Sequence, residues 1–478
     1  MLRPFGRLTA LGAYAAMVFG GVAAFLIVRG YGIALIAAPP AAPQSITSAA
    51  ITVTPNALLR VLLALTAVIV TGRLVGWFLR SVGQPAVVGE ILGGIALGPS
   101  LLGRMAPELS AGILPSSVAP FLGVIAQLGV ILYMFLVGLE LNGGLLRGRA
   151  HATIATSHAS IVAPFVLGSV LALLLYPRLS TSDVSFTSFA LFIAVAMSIT
   201  AFPVLARILA DRRMATTELG TVALTCAAVD DVTAWCLLAM VVGIARAKTA
   251  DTVSIFLLTA AFIAVMFLAV RPLVSRLISR SGDRTPTRDV LAIALVGLLL
   301  AALITEGIGI HAVFGAFLFG AIIPHDSNLA RSLTSRLEDL VTLLLLPAFF
   351  AFTGMRTQIG LVSGVSEWVL CGVIIVVATV GKFGGTLVAG RISGMDWHQS
   401  AALGVLMNTR GLMELIVLNA GLDLGVISPK LFTMMVLMAL ATTIATTPLL
   451  HVLDAAASRV PARHVIPKQL AIWGARKS

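Results

Sequence analysis

Apolar runs of about 20 residues recur along nearly the whole chain, separated by short stretches in which charges, prolines and glycines collect. A run of that length crosses a bilayer as one helix. Lipid offers the backbone no hydrogen-bond partners, so a spanning segment must satisfy its own N–H and C=O groups, and a helix does so. A transmembrane barrel would show shorter, alternating segments. The pattern predicts fourteen spans, near 9–36, 57–79, 85–101, 118–141, 152–176, 187–209, 218–243, 253–279, 288–305, 309–324, 338–358, 366–390, 397–421 and 430–452. The expected fold is an all-α polytopic membrane protein, with thirteen core helices and one extra N-terminal helix.

Composition agrees with this reading. Hydrophobic residues make up 59% of the chain and charged ones 11%, too few to cover a soluble core of this size. The net charge of +12 would suggest nucleic acid as a partner in a soluble protein, but the basic residues are unevenly spread. With a cytoplasmic N-terminus, 22 of the 32 Lys and Arg residues fall on the inner side and eight on the outer side. The bias fits the positive-inside rule, with both termini cytoplasmic and the chain in the cell inner (plasma) membrane. No nucleic acid is implied. Arg3 and Arg7 before the first apolar run resemble a secretory signal, but the length of the run favours a retained helix, followed by a linker within residues 1–48. Residues 453–478 read as a short basic cytoplasmic tail with no soluble domain after it. Cys226, Cys236 and Cys371 read as small buried hydrophobes.

Two basic residues, Lys382 and Arg410, fall inside spans, as do three acids, Asp230, Asp231 and Glu414. Charge at mid-bilayer is costly, roughly 2.5–3.5 kcal/mol per residue, and marks a functional candidate. Adjacent helical residues point about 100° apart, so Asp230 and Asp231 cannot face one another; they are expected to line adjoining sectors of one cavity. No residue three or four positions from either is basic, so compensation must come from another helix or a bound ion. Arg410 and Glu414, four apart, can pair locally, which leaves Lys382 as partner for one aspartate. Gly381, Gly384 and Gly385 would let another helix approach beside it. Three acids against two bases leave one excess negative charge. One proton or one monovalent cation would neutralise it, and competition of two species for one carboxylate is the minimum needed for exchange.

Pro203 interrupts the span 187–209, where it removes a helical hydrogen bond and disfavours helix at Phe202. Freed carbonyls and Thr200 would then offer oxygen ligands to a hard cation. The run Asn408-Thr409-Arg410-Gly411 is expected to interrupt the span 397–421 at a matching depth. With the first span set aside, these are the fifth and twelfth spans. Their odd offset implies inverted six-helix repeats over 57–243 and 288–452, joined by a linker helix at 253–279, with the two broken helices crossing at the midplane.

At these residues the chain resembles the second family of monovalent cation:proton antiporters, which includes sodium/proton antiporters and potassium-efflux proteins. Four runs carry the resemblance: VVGEILGGIALGPSLLG (87–103), MSITAFPVLARIL (197–209), AAVDDVTAWCLLA (227–239) and MNTRGLMELIVLNAGLDLGVIS (407–428). The resemblance implies a homodimer whose exchanger domain, 49–452, divides into a dimerisation part (57–141 and 288–358) and a moving core (152–243 and 366–452). It implies that Asp231 is the principal cation and proton carboxylate, that Asp230 pairs with Lys382 when the cation is absent, and that Thr200 and the broken backbone complete the site. Arg410, Glu414, Asn408 and Pro203 support it. The two-aspartate form implies electrogenic exchange of Na+ or K+ for H+. No cofactor is expected.

The remaining polar residues add less. The seven histidines show no metal-ligand spacing. Glu90, Glu140, Glu338 and Asp339 near the inner rim could form an acidic funnel for cations, or be solvated helix ends. The other functions considered are a sodium-coupled organic-anion symporter of similar architecture, an intramembrane aspartyl protease, disfavoured by the adjacency of the aspartates, and a channel.

Overall fold

The structure, a computed structural model, describes residues 7–39, 56–140, 150–214, 217–246, 252–281 and 286–458. Most of the expected linker before residue 49 and the tail beyond residue 458 lie outside the described residues. Nineteen helices carry the architecture. In chain order they are α1 (Arg7–Gly32), α2 (Ala57–Ser81), α3 (Ala86–Leu97), α4 (Ala119–Glu140), α5 (Ala150–Leu179), α6 (Phe186–Ser198), α7 (Phe202–Asp211), α8 (Glu218–Arg246), α9 (Thr252–Val265), α10 (Arg271–Ser281), α11 (Arg288–Ile308), α12 (Ala312–Ile322), α13 (Asn328–Leu340), α14 (Leu346–Arg356), α15 (Gly364–Thr379), α16 (Gly385–Ile392), α17 (Trp397–Met407), α18 (Leu412–Asp423) and α19 (Pro429–Ser458). Two very short α-helices and a 3-10 turn lie between α3 and α4.

Among the described residues, twelve helical segments are long and apolar enough to cross a membrane, thirteen if the bent pair α17–α18 counts as one. The expected span at 309–324 is the exception. Its helix, α12, has 11 residues, which at 1.5 Å per residue covers about half of the hydrocarbon core. Gly309, in a left-handed conformation, ends α11, His311 caps α12, and Pro324 follows closely. The expected span at 338–358 begins earlier, because the charged helix α13 runs through a wide π-helical turn at Val341–Leu345 into α14.

The helices pack in two groups. In one, α4 lies against α12 and α14, α3 against α2 and α14, and α11 against α12. Glycines bring these backbones together: a Cβ on Gly89 would lie 2.4 Å from Gly76 Cα, and one on Gly94 would lie 2.3 Å from Phe350 O. In the other group, α5 packs on α6, α8 and α16, and α19 packs on α15, α17 and α18. The helix α9 touches both α8 and α11. Along the surface, large apolar side chains such as Leu58, Trp77, Leu268 and Leu303 point outward, as they must in contact with lipid.

The first helix packs on α5 and α6. Phe25 meets Phe165 with ring centroids 5.8 Å apart, Arg29 Nε donates to Thr187 Oγ1 at 3.1 Å, and Gly32 lies against the Phe186 ring.

Candidate functional site

Two helices break within the second group, and the breaks touch. The α6–α7 break occupies residues 199–201, with Pro203 in the first turn of α7, where its missing N–H costs nothing. The α17–α18 break occupies residues 408–411, and the two helices meet at a 43° bend. Ala201 N donates to Thr409 O at 3.0 Å, so each interrupted backbone supplies a hydrogen-bond partner to the other. A Cβ on Gly411 would lie 2.6 Å from Val204 Cγ2, so the crossing is tight.

A broken helix exposes carbonyls at its C-terminal end, where the dipole is negative. Here cations meet them. Lys382 Nζ donates to Ser198 O at 2.6 Å. Arg410 donates from Nη1 to Ala196 O at 2.9 Å and from Nη2 to Met197 O at 2.7 Å. Glu414 stands in the first turn of α18, where a negative charge suits the dipole, and accepts from Arg410 Nη1 at 2.6 Å. The local Arg410–Glu414 pair read from the sequence is present, but the arginine also crosses to the other broken helix. Arg410, Glu414 and Lys382 are all fully buried.

Lys382 sits in a π-helical turn, Val380–Gly384, between α15 and α16. Such turns bulge one residue out of register, and they are frequent at functional sites. Gly381 and Gly385 let the turn approach α5, since a Cβ would meet Pro164 Cα at 2.8 Å and Ala163 Cβ at 2.6 Å respectively. Gly384, expected to share that role, has no atom within 4 Å of its Cβ position and does not.

The two aspartates lie side by side on α8 but in unlike surroundings. Asp230 is saturated with donors. It receives Ser157 Oγ at 2.5 Å, Ser160 Oγ at 3.0 Å, Thr200 Oγ1 at 2.9 Å and Lys382 Nζ at 2.8 Å. Thr200 Oγ1 is also 3.2 Å from Met407 O on the second broken helix. Asp231 is buried as well, at 2% exposure, yet neither of its carboxylate oxygens has a hydrogen-bond partner. Asp231 borders a cavity about the size of a water molecule, together with Ile199, Ala234, Trp235, Met413 and Val417. The expectation that both acids line one cavity is therefore corrected: Asp231 lines it, and Asp230 is turned into the serine–lysine cluster. Asn408 caps α17 with a buried Oδ1 that also lacks a partner.

Ser157 and Ser160 did not stand out in the sequence. The available signal was two hydroxyls three apart on one face of the span 152–176, in the run TSHAS. Of the acids expected near the inner rim, Glu140 and Glu338 lie near each other on packed helices, and Glu90 is in a separate crevice. Glu90 sits in a crevice of the first group beside Gly72, Arg73 and Pro347, while Glu140 ends α4 and Glu338 lies in α13.

An all-helical membrane fold with two interlocked broken helices and buried carboxylates describes a cation exchanger. Residues 64–452 match the family model for the transmembrane sodium/hydrogen exchangers, and the chain belongs to that family. It is 45% identical over 397 residues to the Na(+)/H(+) antiporter NhaS4 of Synechocystis, which covers 82% of this chain and 97% of that one. It is 41% identical over 398 residues to the cation/H(+) antiporter 17 of Arabidopsis thaliana, covering 82% of this chain but 48% of that longer protein. In fold it is similar to the sodium proton antiporter MjNhaP1 from Methanocaldococcus jannaschii, with a TM-score of 0.55 at 14% identity, over 84% of this chain and 97% of that one. The helix α1 precedes the matched residues.

Proposed function

We propose that the chain exchanges a monovalent cation, Na+ or K+, for protons, with Asp231 as the group that both species occupy in turn. One observation carries the reading: Asp231 is a buried carboxylate with no partner for either oxygen, and the residue borders a small cavity beside two broken helices. The other buried charges form two pairs, Lys382–Asp230 and Arg410–Glu414. Asp231 therefore holds the excess negative charge, and a proton or a cation relieves it. A proton makes it a neutral acid, and a cation makes it an ion pair completed by backbone carbonyls and water. The two states exclude each other, so transport of one drives transport of the other.

The packing in two groups supports alternating access. In this reading the group of α2, α3, α4, α11, α12 and α14 is a fixed scaffold that pairs with a second copy. The group of α5–α8 and α15–α19 is the moving core, with α9 and α10 as linker. Each group takes helices from both inverted repeats, 57–243 and 288–452, and the core rocks so that Asp231 faces each side in turn. The Lys382–Asp230 pair holds the core together while the cation is absent, and exchange moves net charge. The protein lies in the inner membrane with both termini cytoplasmic. A cavity of this size suits an alkali cation and not an organic anion, which disfavours the symporter reading.

The test uses the full chain in proteoliposomes with a pH-sensitive dye inside, and the chloride of each alkali metal is added in turn. Wild type moves protons when Na+ or K+ is added, and Asp231→Asn does not. Cation-dependent proton flux retained in a folded Asp231→Asn protein would remove Asp231 from this role.

A further inference from the structure

At one end of the molecule the two helix groups are tied by polar side chains that the exchange site does not use. Arg356, the last residue of α14, places Nη1 2.7 Å from Asp423 Oδ1 at the end of α18. The same nitrogen is 3.2 Å from Asn419 Oδ1. The guanidinium lies over the Phe352 ring, 4.1 Å from its centroid. Asn419 Nδ2 donates back across the gap to Thr353 Oγ1 at 2.9 Å, and the amide N–H of Gln358 donates to Thr433 Oγ1 on α19 at 3.1 Å. The helices α14 and α18 belong to different groups, so these bonds join scaffold to core.

The position of α18 gives the cluster its consequence. Met413 and Val417 of this helix wall the Asp231 cavity, and Asn419 and Asp423 lie about half a turn and nearly two turns past Val417. The helix cannot swing away from α14 without breaking the Arg356 bonds. Arg356 and Asp423 are partly exposed, at 28% and 40% of their side chains. Such a pair is weak enough to open in every cycle. Asn419, at 6% exposure, also donates to Leu415 O of its own helix, but its bonds to Thr353 and Arg356 last only while the two groups touch.

We propose that Arg356, Asn419 and Asp423 form the latch that closes access to Asp231 from the end of the membrane at which α14 finishes and α19 begins. By the distribution of basic residues this is the outer end. Breaking the latch shifts the protein toward a form open to that side. The inference rests on the antiport reading of Asp231.

The test places a reporter cysteine in the cavity, Val417→Cys, in a background with Cys226, Cys236 and Cys371 replaced by alanine and exchange verified. A membrane-impermeant maleimide is applied to the outer face of oriented vesicles. Arg356→Ala and Asp423→Ala are expected to raise the labelling rate roughly five-fold, the shift that loss of a partly exposed ion pair gives. The swap Arg356→Asp with Asp423→Arg is expected to restore slow labelling. Unchanged outer labelling in both single variants, or faster labelling from the opposite face, would overturn the latch. A second measurement does not depend on those variants folding well. Arg356→Cys with Asp423→Cys, oxidised to a disulfide verified by mass, is expected to stop exchange, and reduction is expected to restore it. Full exchange in the crosslinked protein overturns the proposal. Asp231→Asn run in parallel keeps the two readings apart, because it removes exchange without changing the outer labelling of the Val417→Cys reporter.

Discussion

Lys382 and Asp230 meet at 2.8 Å with both side chains fully buried, and the same ammonium caps the C-terminal carbonyl of α6 at Ser198. One cation thus closes two accounts, the charge of a carboxylate and the end of a broken helix. Removing it strands both. Lys382→Ala is expected to destabilise the folded protein by about 3–5 kcal/mol, the range for breaking a buried ion pair. Lys382→Ala with Asp230→Asn should recover part of that loss, because the stranded charge goes too. Thermal unfolding of the detergent-solubilised variants checks both. A double variant no more stable than Lys382→Ala alone would show that the lysine acts mainly through Ser198.

The donors from α5 make a separate prediction. Ser157 and Ser160 bond Asp230 and do not touch Asp231. Ser157→Ala and Ser160→Ala are each expected to cost about 1–3 kcal/mol, because a charged acceptor loses a buried donor. Exchange should survive, with an apparent cation affinity altered far less than by any change at Asp231. Paired measurement of unfolding temperature and dye-reported KM distinguishes this from a direct ligand role, in which KM would move and stability would not.

Much of this site was legible from residue type alone. Charges at mid-span are rare enough that Asp230, Asp231, Lys382, Arg410 and Glu414 announced themselves, and Pro203 marked the first break. The second break was legible from Asn408 to Gly411. Three features were not. The length of α12 depends on where Gly309 and Pro324 stop a helix within an apolar run, and hydropathy is blind to that. The reach of Arg410 to Ala196 and Met197 was hidden behind a complete local explanation, since an i, i+4 partner already stood at Glu414. The asymmetry of the aspartates depends on what packs against each sector of α8. A 100° separation along one helix says that they differ without saying which meets the serines.

In the proposed exchange, competition at Asp231 sets the pH dependence. When the external pH falls, more of the carboxylate is protonated, and the cation must displace a proton to bind. The apparent KM for Na+ or K+ is therefore expected to rise as pH falls and to level off at high pH, with maximal rate changing less. Initial rates in proteoliposomes over a grid of pH and cation concentration check this. A KM independent of pH would mean that the two species use different groups.

The scaffold tolerates little added volume where its backbones touch. The Cβ of Gly94→Ala would lie 2.3 Å from Phe350 O, which is backbone and cannot rotate aside. Overpacking of this kind costs about 1–3 kcal/mol, so Gly94→Ala should lower the unfolding temperature and widen the α3–α14 contact. Gly384→Ala, in open space beside Lys382, is expected to leave stability unchanged.

The first helix supplies the last prediction. It lies outside the residues that match the exchanger family, yet it packs on α5 and α6, the helices that carry the serines and precede the first break. In the proposed division, a helix attached there belongs with the core and not with the scaffold. Gly32→Leu drives a side chain into the Phe186 ring, 2.0 Å from the Cβ position, and should lift the end of α1 from α6. If α1 only braces the core, this variant loses thermal stability and keeps the wild-type KM. If α1 helps to set the position of the broken helices, KM and maximal rate change together, and the accompanying Phe186→Ala substitution, which empties the space the leucine needs, returns them toward wild type. Unfolding temperature and transport rate measured on the same preparations separate the two outcomes. The bracing role is the expected one, because Arg29 and Phe25 reach Thr187 and Phe165 at the surface of the core and not the residues around Asp231.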